Sequence, residues 1–140
     1  MINHTEVFND SYARVLNRDI ENKLFFSIFY EKFTSASPEV MSKFSNTDMD
    51  KQHKMLKRSL FYMLNYFVNR EETDYMKRIA DVHCRHKKNI PPPLYDFWLN
   101  SLLAAVEDLD PKYDRDVELA WKTVMAPGIE YMKSKFDGTD

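Results

Sequence analysis

Glycine is almost missing from this chain: Gly128 and Gly138 are the two it has among 140 residues. Tight hairpins depend on residues that tolerate positive φ, glycine first, so the scarcity argues against a β-rich fold. Cysteine is nearly absent too. Cys84 stands alone, which excludes an intrachain disulfide and a cysteine-built zinc site. No apolar run approaches the roughly 20 residues that a membrane span needs. Residues 1–9 are polar and lack the apolar stretch of a secretory leader. Neither sign of charge dominates, since 20 basic and 22 acidic side chains leave a net −2. With no basic stripe, nucleic acid is a poor partner. The sequence also has no glycine-rich phosphate loop, no Gly-x-Ser-x-Gly elbow and no His-Glu-x-x-His. These absences predict a soluble, cytoplasmic chain with neither a membrane nor a nucleic-acid partner.

What is there points to helices. Apolar residues make up 44% and charged residues 30%, a balance that suits one core under a solvated surface. We expect one domain over residues 1–140. Aromatics reach 14%, with ten Phe, eight Tyr and two Trp. They predict either a bulky core or the lining of a flat ligand, and composition alone favours the core.

Helical periodicity runs along the chain. Phe8, Tyr12, Val15 and Leu16 share one face of a first helix. After a break at Asn17–Asp19 come Leu24, Phe25, Ile28, Phe29 and Phe33. Ser37-Pro38-Glu39 reads as an N-cap with proline at the first helical position, opening a short turn that ends near Phe44. The polar stretch Ser45–Asp50 leads into a long helix with Met55, Leu56, Leu60, Met63, Leu64 and Phe67 inward. Thr73 or Asp74 caps the next helix, which carries Ile79, Ala80 and His83 on one side. That helix must stop before Pro91-Pro92-Pro93, because the residue before a proline avoids the helical region. The prolines can open another helix, with Leu94, Trp98, Leu102 and Val106 inward, and Asp110-Pro111 turns out of it. A last helix carries Val117, Trp121, Val124, Ile129, Met132 and Phe136. Pro127-Gly128 inside it predicts a kink, a bulge or two shorter helices. About seven helices result, and both an antiparallel bundle and a globin-like packing satisfy them.

Of the four histidines, His4, His53, His83 and His86, His83 lies on the apolar side of its helix. A single histidine there is most often a satisfied core residue. Neighbouring spacings change that reading. Arg78-Ile79-Ala80-Asp81-Val82-His83 resembles the segment of the globin family that ends in the haem-ligating histidine. The likeness is to single-domain bacterial haemoglobins and the globin half of flavohaemoglobins. Phe29-Tyr30-Glu31-Lys32-Phe33, with Ser37-Pro38-Glu39 and Phe44, resembles the family's distal helix and corner. Lys51-Gln52-His53-Lys54-Met55-Leu56 is similar to the distal-glutamine segment, and Ala120-Trp121 to the start of the final-helix motif.

The resemblance implies an all-α globin fold, about seven helices around a pocket holding haem b, iron protoporphyrin IX. It makes His83 the iron ligand and Phe44, Leu56, Ile79 and Tyr95 further cofactor contacts. Tyr30, Gln52 and Leu56 would meet O2 or another diatomic gas (NO, CO), with Phe44 and Ile28 helping to exclude water. It further implies reversible gas binding, with NO oxidation to nitrate or weak peroxidase chemistry if an external reductase supplies electrons. Two other readings stay open: a haem-based sensor acting through a partner protein, and a haem-free interaction module of the same shape.

Some positions depart from the family pattern. The step from His83 to Tyr95 is long, so the loop with Lys87–Asn89 looks expanded. His86 competes with His83, and His53 with Gln52. The latter shift would set Lys57 against the ligand, which burial disfavours. Met125 stands where the final-helix motif has tyrosine. No carboxylate matches the one that polarises the proximal histidine in flavohaemoglobins. The basic run Arg85–Lys88 reads either as a solvated helix end or as a set of partners for the haem propionates.

Overall fold

The computed structural model describes residues 2–17 and 24–137. Among them the chain forms α1 (His4–Asn17), α2 (Leu24–Thr34), α3 (Pro38–Lys43), α4 (Met49–Asn69), α5 (Asp74–His83), α6 (Pro93–Leu109) and α7 (Arg115–Ser134), with no strand. Asn17, the first residue of the expected break, is still the last residue of α1, and the rest of the expected break lies outside the described residues.

Local chemistry sets most helix ends. Ser37 accepts the Val40 N–H at 3.1 Å, and Pro38 fills the position where no N–H is needed. Asp48 accepts the Asp50 and Lys51 N–H groups to open α4. Thr73, rather than Asp74, caps α5 by accepting the Met76 N–H at 3.2 Å. Asp114 does the same for Val117 at the start of α7. The loop after α5 is well bonded. The Ile90 N–H returns to the His83 carbonyl at 3.0 Å, and the Arg85 N–H reaches the Phe136 carbonyl at 2.8 Å.

Packing follows three main pairs, α1 on α7, α2 on α6 and α4 on α7. Trp121 is fully buried at the first junction, its ring 4.5 Å from Phe8 and 6.2 Å from Phe25. α2 buries Phe25, Phe26, Phe29, Tyr30 and Phe33. That set is wider than the stripe expected, because α3, α4 and α6 all cover α2. Leu24, at the helix start, is exposed instead. α7 runs unbroken through Pro127, so two shorter helices do not form. The proline withholds a single N–H from the Thr123 carbonyl, while buried Val124 and Ile129 hold both halves on the core. No helix among the described residues is long and apolar enough to cross a membrane.

Candidate functional site

α5 is held chiefly by α7, and a cleft opens between α5 and the α2–α4 pair. The cavity measures about 160 Å³, far beyond the roughly 10–15 Å³ that hold one water. It is a built space and not a packing fault.

The residues singled out from the sequence converge on it. Tyr30 comes from α2, Phe44 from the end of α3, Gln52 and Leu56 from α4, Ile79 and His83 from α5, and Tyr95 from α6. Their sequence separation explains the helical order. Five helices contribute these residues, with Ile129 and Met132 of α7 beside them, and the cleft lies where their faces converge.

His83 is the one imidazole that lines the cleft; His86, three residues on, is exposed. Burial, with the Lys88 charge adding to it, lowers the His83 pKa to about 4. The ring is therefore neutral near pH 7 and keeps a lone pair for a metal. Its Nδ1 lies 3.3 Å from the Tyr95 hydroxyl. Nε2 makes no hydrogen bond among the described residues. Burial holds the Tyr95 phenol well above its ordinary pKa, so this partner is a neutral hydroxyl. Among the described residues, no Asp or Glu lines the cleft.

The facing wall carries Tyr30. Burial raises its pKa, outweighing the opposing effect of its bond to Gln52, so the phenol keeps its proton. The hydroxyl donates to the Gln52 backbone carbonyl at 3.3 Å, a long bond. Its ring is packed by Phe29 at 4.8 Å, Phe44 at 5.7 Å and His53, which stacks on it at 5.4 Å and 10°. His53 therefore supports Tyr30 from behind, while Gln52 takes the cleft-facing position. Lys57 is exposed, as the Gln52 register requires. Ile28, expected to help exclude water, is not among the lining residues. It is half-buried on another side of α2.

Sequence reasoning missed several lining residues. Periodicity reads Ile129 and Met132 as inward on the last helix, and Met76, one turn before Ile79 on the α5 stripe, could have been found by the same periodicity. Tyr62 and Tyr75 carried no such signal. They stack at 4.4 Å and 17°, and the Tyr75 hydroxyl lies 3.1 Å from Ser59 Oγ on α4. The Arg85–Lys88 run does not line the cleft either. Arg85 pairs with Asp137 and Lys87 with Asp81.

No protein-family model and no curated protein sequence matches the chain. Among solved structures, one from Pseudomonas aeruginosa PAO1 matches with a TM-score of 0.87 and 31% identity. The match covers 98% of this chain and 100% of that one. That protein is described as structurally highly homologous to a human hemoglobin.

Proposed function

Because this chain belongs to the globin family, we propose that it holds one haem b in the cleft, with His83 as the iron ligand, and reversibly takes up O2 or another diatomic gas (NO, CO). The observation that carries the reading is the state of His83. A half-buried, neutral imidazole that lines the cleft has one nitrogen engaged by Tyr95 and the other unbonded among the described residues. That is the donor set an iron-porphyrin needs.

The other residues fit the same group. Phe44, Leu56, Ile79, Met76, Trp98 and Ile129 offer apolar surface to a flat macrocycle. Haem, when bound, supplies the iron centre at which a diatomic gas attaches. The chain's own contribution is positioning, exclusion and hydrogen bonding. For Nε2 to hold the iron, Nδ1 must carry the ring proton and donate it to the Tyr95 hydroxyl oxygen, which sets the ring's orientation. Tyr30 Oη carries a proton it can redirect, because its present bond to the Gln52 carbonyl is long. The Gln52 amide is uncommitted among the described residues and lines the cleft beside it. Leu56 and Phe44 exclude water. The neutral Tyr95 partner and the lack of a lining carboxylate support gas binding over peroxidase-type turnover, which benefits from a more electron-rich imidazole. NO oxidation to nitrate would draw its electrons from an external reductase.

The test is absorption spectroscopy of protein reconstituted with haem. The wild type is expected to show a Soret band that shifts on reduction and on CO addition. His83→Ala should lose most of its haem on gel filtration, while His86→Ala should keep a near-normal spectrum. A chain that retains no haem would overturn the reading, as would loss on replacing His86 but not His83.

A further inference from the structure

Among the described residues that line the cleft, Lys43 is the one lysine, and no arginine, aspartate or glutamate joins it. It ends α3, directly before Phe44, and Ser37 and Pro38 fix the direction of that short helix. Two other cations near the cleft already have carboxylate partners. Lys87 pairs with Asp81 and Arg85 with Asp137. Lys43 has no carboxylate partner among the described residues. Its ammonium makes one long bond, 3.3 Å to the Lys88 backbone carbonyl, although an ammonium has three N–H donors. Lys88 itself lies close enough for its charge to act on His83. One rim of a largely apolar cleft, with no carboxylate among its described lining residues, thus gathers positive charge with donors to spare.

We propose that this rim is a carboxylate subsite in which Lys43 anchors a propionate of the porphyrin, a role the sequence suggested for Arg85–Lys88. The inference rests on the haem reading above and adds which edge of the plate the protein holds. An iron-porphyrin is apolar except where its two carboxylates leave one side. An apolar cleft with a single cationic rim gives such a plate one preferred in-plane orientation. Lys43 gives up its weak carbonyl bond and gains a charge-assisted one.

The experiment transfers porphyrin from this protein to excess apomyoglobin and follows the Soret band. It is run with haem and with haem dimethyl ester, which has no carboxylates. Lys43→Met is expected to speed haem loss about tenfold, and Lys43→Glu more. Lys43→Arg should restore retention, and added salt should shrink the difference. The dimethyl ester should leave the wild type and Lys43→Met at the same rate. Equal acceleration for both porphyrins would mean that Lys43 acts through packing, and no acceleration would mean that it holds nothing; either overturns the subsite. A wild type that retains neither porphyrin would instead overturn the haem reading.

Discussion

One hydroxyl on Tyr30 faces two acceptors, the Gln52 carbonyl at 3.3 Å and, in the proposed function, a partly negative gas molecule. The second bond forms at the expense of the first, so its net worth lies below a charge-assisted bond made from nothing. A bond of about 1.5 kcal/mol corresponds to roughly tenfold in release rate. Tyr30→Phe is therefore expected to speed O2 release about tenfold while changing CO release little, because CO accepts hydrogen bonds poorly. Stopped-flow dissociation measures both. Equal changes for the two gases would mean that Tyr30 acts by bulk. Gln52→Leu should shift O2 release in the same direction by less, since a mobile amide loses more freedom when held. Tyr30 was legible in the sequence as a tyrosine on an apolar stripe. Its Gln52 carbonyl partner was not, because a backbone acceptor on another helix leaves no trace in side-chain pattern.

The crossing of α4 over α7 depends on Gly128. A Cβ there would lie 3.0 Å from Met63 Cγ and 3.1 Å from Met63 Cε. Two effects oppose each other in Gly128→Ala. Helix propensity favours alanine by about 1 kcal/mol. Overpacking against half-buried Met63 costs about 1–3 kcal/mol. Met63 Cγ sits near its own backbone and yields less than a side-chain tip, so the contact wins and Gly128→Ala should destabilise. In a Met63→Ala background the contact is gone, and the same substitution should stabilise by about 1 kcal/mol. Urea unfolding of the four proteins in this cycle measures the coupling, and additive effects would show that the crossing is not tight. Both residues line the cleft, so the shape of the site is set partly by this crossing. The sequence showed the Pro127-Gly128 pair as a disturbance in the last helix. That Gly128 serves a close approach needed the position of α4.

At the scale of the whole molecule, a dense polar tie among the described residues joins α1 to the end of α6, away from the cleft. Arg14 holds Asp110 through Nε at 2.7 Å and Nη2 at 2.9 Å. Ser11 donates to the same carboxylate at 2.6 Å and accepts the Trp121 indole N–H at 2.9 Å. Burial pushes the Asp110 carboxyl up, but bonds from Arg14, Ser11 and the Lys112 N–H outweigh it and hold the pKa below its ordinary 3.8. A carboxyl with a lowered folded pKa contributes stability that is present above its unfolded value and lost as pH falls through the folded one. Asp110→Asn should cost about 2 kcal/mol at pH 7, since it removes the charge-assisted bonds from Ser11 and from partly exposed Arg14, and lower Tm by about 6 °C. The gap from wild type should stay constant above about pH 5 and close below pH 4. A gap that persists unchanged at pH 3 would mean that shape, and not charge, sets the effect.

The sequence by itself determined the helices and what they expose to one another. Period, caps and the two prolines at helix starts gave α3 to α7, and the spacing of Tyr30, Phe44, Gln52 and His83 brought the family resemblance into view. These are local properties, fixed within a few turns of one chain segment. Tertiary structure decided what each side chain finds across a gap. Tyr95 meets His83 from another helix, His53 supports Tyr30 from outside the cleft, and Ser11 links Trp121 to Asp110. The cations show the same division. The run Arg85–Lys88 stood out in the sequence, yet nearby Asp137 and Asp81 draw Arg85 and Lys87 away, and an unremarked Lys43 turns inward. A long charged side chain goes where partners in space allow, and periodicity, which names the apolar face of a helix, does not say what stands opposite it.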